Sequence, residues 1–321
     1  MPILTVDPTD PSHDAHLLQA ANALRAGRLV AFPTETVYGL GADATNGAAL
    51  AAIFERKGRP RLNPLIVHVA EASAARRLVA FNPTAERLAA AFWPGPLTLV
   101  LPRRADCPVH DLASAGLETL GVRVPAPATA RALIAAAGCP VAAPSANRSG
   151  EPSPTRAADV AESLGTDDLT ILDGGPCEAG LESTVVGFED GRAVLLRLGA
   201  LPRASIEAIA GPLAAPHDDE ARPSSPGRLL RHYAPRARLR LNAEQPQPGE
   251  IYLAFGPAPA NAETLQLSAS GDPREAAANL FAMLREADRR GASRIAVAPI
   301  PDDGIGEAIN DRLARAAAAQ A

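Results

Sequence analysis

The spacing of apolar residues over the first 210 positions predicts a domain that contains both helices and strands. Apolar residues that recur every three or four positions, between cap and stop signals, predict helices, which span residues 13–27, 47–56 and 83–92. Short apolar runs predict strands, which span residues 28–32, 64–69, 97–101, 119–124, 141–143, 169–172, 183–188 and 193–198. Glu189-Asp190-Gly191 between the last two strands indicates a hairpin. The irregular order of the elements indicates an α+β fold around a twisted, mixed sheet.

The pattern changes near residue 211. Residues 211–227 are rich in Pro, Ala, Asp and Ser and have no hydrophobic period, which is typical of a linker. We therefore expect a first domain over residues 1–210, a linker over 211–235 and a second domain over 236–321.

The second domain is predicted to be a small, Rossmann-like α/β unit. Its clearest helix spans residues 273–290, with Asp272 as the N-cap and Glu275 at the capping-box position. Helical segments alternate with predicted strands over residues 238–241, 251–255 and 295–299.

Composition narrows the class of protein. A chain of 321 residues with 47% hydrophobic and 21% charged residues is typical of a globular protein with about two domains. The net charge of −5 argues against a protein that coats nucleic acid. The three cysteines are far apart, so neither a zinc site nor a disulfide framework is expected. No leader sequence or membrane-spanning run is recognisable, so we expect a cytoplasmic protein without membrane contact.

Lysine is almost absent from the chain. Lys57 is the only lysine among the 31 basic residues, and it lies in the densest basic segment. A lysine is a compact charge that suits one phosphate or carboxylate oxygen, whereas arginine is a rigid fork. Chance retention in an arginine-rich composition is the alternative, but the Gly, Pro and Asn residues that follow indicate a shaped loop.

Five segments place hydroxyl, amide or charged groups in Gly- or Pro-containing loops at the ends of predicted strands, where ligands commonly bind. They are residues 33–41, 57–68, 121–125, 143–155 and 173–186, the last together with Arg197. Each has an ordinary alternative: a hydroxyl turn with a surface Glu35, a solvated charge run, a structural His68, an internal ion pair of Arg123, or a plain polar loop. Together they predict a pocket of cations and hydroxyls that suits phosphoryl or nucleotidyl transfer, with Mg²⁺ arriving on the nucleotide.

The same residues form motifs whose order and spacing resemble the YrdC-like L-threonylcarbamoyladenylate synthases, in their long two-domain form. The motifs are Pro33-Thr-Glu-Thr-Val-Tyr-Gly-Leu-Gly41, Lys57-Gly-Arg-Pro60, Asn63-Pro-Leu-Ile-Val-His68, Phe92-Trp-Pro-Gly-Pro-Leu-Thr98, Val122-Arg-Val-Pro125, Ala143-Pro-Ser-Ala-Asn147, Glu182-Ser-Thr-Val185 and His232-Tyr-Ala-Pro235. The resemblance implies that L-threonine, bicarbonate and ATP are converted to threonylcarbamoyl-AMP and pyrophosphate. That product serves the N6-threonylcarbamoyl modification of adenosine 37 in tRNA.

The resemblance also implies roles for individual residues. Lys57 and Arg59 would be catalytic, and Mg²⁺ would be carried by ATP without metal ligands from the protein. The residues expected at ATP are Lys57, Arg59, Asn63, Thr119, Ser145, Asn147, Ser153, Arg197 and Tyr233. Those expected at threonine are Thr36, His68, Arg123, Ala143 and Ser183. The linker would close over the site through Tyr233. The expected partners are the small substrates, the tRNA threonylcarbamoyl transferase machinery that receives the product, and weakly bound RNA.

Three other functions are considered. A non-catalytic RNA-binding protein of the same fold is disfavoured by the intact Lys57, Arg59, Ser145 and Asn147 set and by the acidic charge. A hydrogenase-maturation carbamoyltransferase would need zinc-finger cysteines and an acylphosphatase-like module. An NAD-binding protein would need a Gly-x-Gly-x-x-Gly loop after a strand.

Overall fold

The computed structural model describes residues 3–7, 9, 12–215, 233–259 and 262–320. Its elements, in chain order, are β1 (Ile3–Thr5), α1 (His13–Arg25), β2 (Val30–Phe32), β3 (Gly39–Asp43), α2 (Gly47–Lys57), β4 (Ile66–His68), α3 (Ala72–Leu78), α4 (Pro83–Phe92), β5 (Leu97–Pro102), α5 (Asp111–Ser114), β6 (Thr119–Arg123), α6 (Ala128–Ala137), β7 (Val141–Ala142), α7 (Ala157–Leu164), β8 (Thr170–Asp173), β9 (Thr184–Glu189), β10 (Arg192–Arg197), α8 (Arg203–Ala210), β11 (Arg238–Arg240), β12 (Ile251–Phe255), β13 (Thr264–Ser268), α9 (Pro273–Arg289), β14 (Arg294–Val297) and α10 (Gly306–Ala318).

The first ten strands form one mixed sheet in the order β1-β8-β2-β3-β7-β4-β6-β5-β9-β10. Alternate residues of β2 face opposite sides: Val30 and Phe32 join a core with α1 and α6, whereas Ala31 joins the main core on the other side. Helices therefore cover both faces of the central strands. The predicted α+β fold is confirmed, and so is the β9–β10 hairpin across Glu189-Asp190-Gly191.

The last four strands form a separate, entirely parallel sheet in the order β11-β14-β12-β13. Helices α9 and α10 pack on the same face of it, because Leu280 of α9 and Ile309 of α10 share a core with Leu253 and Ile295. The predicted small α/β domain is confirmed.

Several local predictions differ from the structure. Helix α1 ends at Arg25, two residues earlier than predicted, and Leu18 faces solvent. Strand β3 was not predicted, because its sequence Gly-Leu-Gly-Ala-Asp lacks the β-branched residues that mark strands. Asp272 does cap α9 by accepting the Arg274 N–H, but the Glu275 carboxylate accepts the Ser268 hydroxyl at 2.5 Å and so does not complete a capping box.

The two sheets share an interface. Val37 and Leu181 of the first unit belong to the same hydrophobic core as α9 and α10. Gly180 lies so close to α9 that an added Cβ would sit 2.4 Å from the Ala277 carbonyl oxygen. The predicted division into residues 1–210, 211–235 and 236–321 stays a prediction, since residues 216–232, including His232, lie outside the described residues.

Candidate active site

The polar motifs converge where several strands of the large sheet end. His68 ends β4 and Arg123 ends β6, and these two strands are parallel neighbours whose last residues are register partners. Thr36 follows β2, Ala143 and Ser145 follow β7, Ser183 precedes β9, and Arg197 ends β10. Nine of the predicted site residues line one cavity: Thr36, Arg59, His68, Arg123, Ala143, Ser145, Ser183, Arg197 and Tyr233.

One side of the cavity, which we call the motif wall, consists of Thr34, Glu35, Thr36 and Arg123. The Thr34 hydroxyl donates to the Val37 carbonyl at 2.7 Å and lies 2.8 Å from the Thr36 hydroxyl, which fixes a tight turn. Arg123 donates to the Thr36 hydroxyl at 2.9 Å and contacts the Glu35 carboxylate at 2.7 Å. Glu35 is therefore a buried partner of Arg123 and not a surface residue. Arg123 therefore forms an internal ion pair and also presents its guanidinium to the cavity.

Another part of the lining, which we call the interdomain wall, consists of Glu182, Arg197 and Tyr233, together with Ser153, which contacts Glu182. Glu182 accepts a hydrogen bond from the Ser153 hydroxyl at 2.5 Å. Arg197 donates to the Ser183 carbonyl at 2.9 Å and to its hydroxyl at 3.1 Å. The ring of Tyr233 stacks on Phe281 of α9, with centroids 5.5 Å apart. This wall therefore contacts the second domain.

Lys57 lies behind the cavity. It is buried, and its ammonium donates to the backbone carbonyls of Ser145 and Asn147, both at 2.5 Å. Burial, together with nearby Arg59, holds the pKa of Lys57 well below its usual range, an effect that Glu151 partly offsets. The side chain of Lys57 thus fixes the shape of the loop that carries Ser145. Arg59 lines the cavity, and burial lowers its pKa to about 10, so the guanidinium remains charged at neutral pH.

Four other predicted ATP residues, Asn63, Asn147, Ser153 and Thr119, do not line the cavity. The side-chain oxygens of Asn63 and Asn147 are buried and accept no hydrogen bond from the described residues, which suits a site that receives donors from a ligand. Ser153 reaches the cavity through Glu182. Thr119 lies four residues before Arg123 on β6, about 13 Å along the strand but on the same face, and Gly121 between them has no side chain to block that face.

His68 is neutral in this environment. Burial, and then the charge of Arg123, lowers its pKa to about 3. Its ring packs edge-on against Phe32 at 6.3 Å. Both the structural and the ligand-facing interpretations of His68 therefore have support, because the buried ring also borders the cavity.

Three contributing residues were not assigned a role from the sequence. Thr98 shares a 2.7 Å hydrogen bond with Ser183, and Glu182 lines the cavity, although both belong to motifs already visible. Arg312 of α10 pairs with Glu182 at 2.9 Å across 130 sequence positions. Nothing local in the sequence marked Arg312.

The enclosed part of the cavity is small. Its volume is about 50 Å³. A groove of about 930 Å³ lies elsewhere between α3 and α6, but none of the predicted site residues lines it. The predicted site residues therefore meet at the smaller cavity, which buried cations and hydroxyls line. Such a site can bind anions and stabilise charge in a transfer reaction, which is the property expected of a nucleotidyltransferase.

Comparison with known proteins agrees with this class. Residues 22–199 match the Sua5/YciO/YrdC family, whose description is "Telomere recombination". Residues 201–318 match a family described as "Threonylcarbamoyl-AMP synthase, C-terminal domain". The chain is 41% identical to the threonylcarbamoyl-AMP synthase of Bacillus subtilis (strain 168), over 97% of this chain and 96% of that protein. It is also 41% identical to the Pyrococcus abyssi (strain GE5 / Orsay) enzyme, with 92% of each chain covered.

A solved structure supports the whole architecture. The crystal structure of P. abyssi Sua5 complexed with L-threonine aligns with a TM-score of 0.90 at 38% identity, over 100% of this chain and 98% of that chain. The chain therefore belongs to the Sua5/YrdC family of threonylcarbamoyl-AMP synthases, ATP-using transferases, in the form with a C-terminal domain. The family resemblance inferred from the motifs is confirmed. In the described part of the chain, every helix is too short or too polar to cross a bilayer.

Proposed function

We propose that this protein converts L-threonine, bicarbonate and ATP into threonylcarbamoyl-AMP and pyrophosphate in the cavity between the motif wall and the interdomain wall. The observation that carries the proposal is the convergence of three buried guanidinium groups, Arg59, Arg123 and Arg197, with the hydroxyls of Thr36 and Ser183. The reaction belongs to the cytoplasm, as the first step of the N6-threonylcarbamoyl modification of adenosine 37 in tRNA.

Threonine is assigned to the motif wall. Its carboxylate would pair with Arg123 beside the Thr36 hydroxyl, because a fixed guanidinium is the strongest recognition group for a carboxylate. His68, Ala143 and Ser183 border the same part of the cavity. A neutral His68 leaves the threonine amine free to react, since it adds no positive charge beside it.

ATP is assigned to the loop held by Lys57 and to the interdomain wall. Arg59, Ser145, Arg197 and Tyr233 line the cavity. Asn63, Thr119, Asn147 and Ser153 are assigned to ATP from the family resemblance. Tyr233 would close over the nucleotide when the linker docks, excluding water from a labile mixed anhydride.

The reaction brings two anions together, so the charges of the site explain how the protein promotes it. The threonine amine adds to bicarbonate with loss of water to give a carbamate, whose oxygen attacks the α-phosphorus and displaces pyrophosphate. Carbamate and triphosphate repel one another, so the buried cations lower the energy of their approach. Mg²⁺ would enter as the ATP complex, bound by phosphate oxygens. Glu182, the carboxylate that lines the cavity, is already engaged by Ser153 and Arg312.

The product would be passed to the tRNA threonylcarbamoyl transferase machinery, with weak RNA binding at most. A mixed carboxylic–phosphoric anhydride hydrolyses readily, so release close to its acceptor would limit its loss. This handover could be measured as transfer of label from threonine to tRNA with and without physical separation of the two enzymes.

The deciding experiment measures pyrophosphate release with ATP, omitting threonine and bicarbonate in turn. We expect release that requires both. Lys57→Met should lower it by roughly 100-fold or more, because the Ser145 loop loses the two hydrogen bonds that the ammonium donates to its carbonyls. Arg61→Met is the matched control, since Arg61 is an exposed cation four residues away on the same loop.

Two results would count against the proposal. Release that does not depend on threonine would favour carbamoyl transfer or simple ATP hydrolysis. No release from a folded protein that binds double-stranded RNA would favour the RNA-binding alternative.

A further inference from the structure

Arg312 is a charged side chain of the second domain that is only 1% exposed and lies behind the cavity of the first domain. It donates to the Glu182 carboxylate at 2.9 Å and to the Leu198 carbonyl at 2.7 Å. Its guanidinium also lies over the Tyr233 ring, 5.0 Å from the centroid. One side chain thus contacts two members of the interdomain wall and the strand end that carries Arg197.

The contact of Arg312 with Glu182 matters because of the position and charge of Glu182. It is a buried carboxylate on the wall of a cavity that otherwise presents cations and hydroxyls. Burial alone would raise its pKa, but Arg312 first, and then Arg197, lower that pKa to about 2, so the group is ionised at neutral pH. An uncompensated negative charge at this position would repel a polyphosphate.

We propose that Arg312 is a positioning residue for the nucleotide: it neutralises Glu182 and braces Tyr233, so that the second domain supplies charge compensation to the cavity. The inference rests on the proposed function, because it presumes that a nucleotide occupies the interdomain wall. It gives the C-terminal domain an electrostatic role in the active site in addition to any effect on the linker.

Arg285 of α9 is also buried and donates to the Pro152 carbonyl of the first domain, but neither residue lines the cavity. The peripheral ion pairs between the domains are more exposed. Arg203 pairs with Glu307 of α10 at 3.0 Å, and Arg289 of α9 pairs with Asp159 at 2.9 Å. Both arginines are about 40% exposed, and neither pair borders the cavity. A fully buried ion pair gains little net stability over apolar residues of similar volume. Domain docking alone therefore does not explain why an arginine occupies position 312.

The test uses the full-length protein and the variants Arg312→Met, Glu182→Gln, their combination, and Glu307→Gln. KM for ATP and for threonine is measured by pyrophosphate release, and ATP binding by calorimetry without threonine. We expect Arg312→Met to raise KM and Kd for ATP by roughly 10-fold or more, with the threonine KM changed less than about 3-fold. Adding Glu182→Gln should recover much of the ATP affinity, because it removes the uncompensated charge.

Glu307→Gln is the matched control: it breaks an interdomain ion pair of the same helix at the periphery and should leave both KM values within about 2-fold. If Arg312→Met unfolds the protein, as judged by circular dichroism, Arg312→Lys decides the question. It keeps the charge but loses the fork, so it should retain ATP affinity within about 3-fold at a lower melting temperature.

Equal losses for ATP and threonine, with no rescue by Glu182→Gln, would overturn the inference and leave Arg312 a purely structural residue. A weakened ATP affinity in a folded Arg312→Lys variant would also overturn it. Measurements on the wild-type protein distinguish a failure of the proposed function from a failure of the role inferred for Arg312. If its pyrophosphate release does not require threonine, the proposed function fails; if it does, the variants test the role of Arg312 alone.

Discussion

The two walls of the cavity present the same kind of group, a buried guanidinium beside a hydroxyl and a carboxylate, but they are held in different ways. In the motif wall, Arg123 and Glu35 pair at 2.7 Å, and every polar contact of that pair is made within the large sheet and its loops. In the interdomain wall, Glu182 is held by Arg312 of α10, and Tyr233 stacks on Phe281 of α9.

The two walls therefore differ in how far their contacts depend on the second domain. The motif wall needs only the first domain, apart from Val37, which packs against the second. In the interdomain wall, Glu182 and Tyr233 also contact side chains of the second domain. We therefore expect changes to the motif wall to affect threonine and overall turnover, whereas changes to the docking surface should affect ATP first.

The largest effect is expected from Arg123→Ala. The change removes the cation assigned to the threonine carboxylate and leaves Glu35 buried without its ion partner. Turnover should fall by more than about 100-fold, and the free energy of unfolding by about 3–5 kcal/mol. Pyrophosphate release and urea denaturation would measure the two effects. The double variant Arg123→Met/Glu35→Gln should regain stability but not turnover; recovery of turnover would remove Arg123 from the site.

An intermediate effect is expected from Gly180→Ala, which acts on the interdomain wall. Gly180 has φ +66°, and an added Cβ would lie 2.4 Å from the Ala277 carbonyl oxygen of α9. Displacement of α9 should raise the ATP KM by about 10-fold and leave the threonine KM within about 3-fold. Gly175→Ala is the control, because Gly175 also has positive φ, +83°, but its Cβ would meet open space. Equal effects of the two substitutions would show that contact with α9 does not matter.

A smaller effect is expected from pH, which should change the free energy of unfolding through His68 in the cavity. Its pKa of about 3 in the folded protein lies below the usual value of about 6.5 in an unfolded chain. The unfolded state therefore binds the proton first, and the stabilising contribution, complete above about pH 6.5, is lost as pH falls toward 3. Between pH 7 and 5 this amounts to about 2 kcal/mol.

Urea denaturation of the wild type and of His68→Asn at both pH values measures this contribution. The wild type should lose about 2 kcal/mol more stability than the variant over that range. Parallel losses would mean that His68 becomes protonated in the folded protein, and the motif wall would then carry an additional positive charge at mildly acidic pH.

Local signals account for the parts of the site that the sequence predicted. A strand was predicted over residues 64–69, and in the structure Leu65, Val67 and Val69 join the main core whereas Ile66 and His68 border the cavity. The Gly and Pro residues at strand ends marked loops. The hydroxyls and arginines of these loops meet because the strands that carry them end at the same edge of the sheet. Strand β3 escaped prediction, because its Gly-rich sequence lacks the β-branched residues that mark strands.

By itself, the sequence determined the mixed-sheet and α/β classes, the family, and nine residues that border one cavity, because these depend on hydrophobic period and on motifs a few residues long. The tertiary structure alone decided that Lys57 donates to the Ser145 and Asn147 carbonyls, that Glu35 pairs with Arg123, and that Arg312 pairs with Glu182. These outcomes depend on which distant groups meet in a site without water. There, a charge needs a partner, and neither spacing nor propensity along the chain specifies which partner it finds.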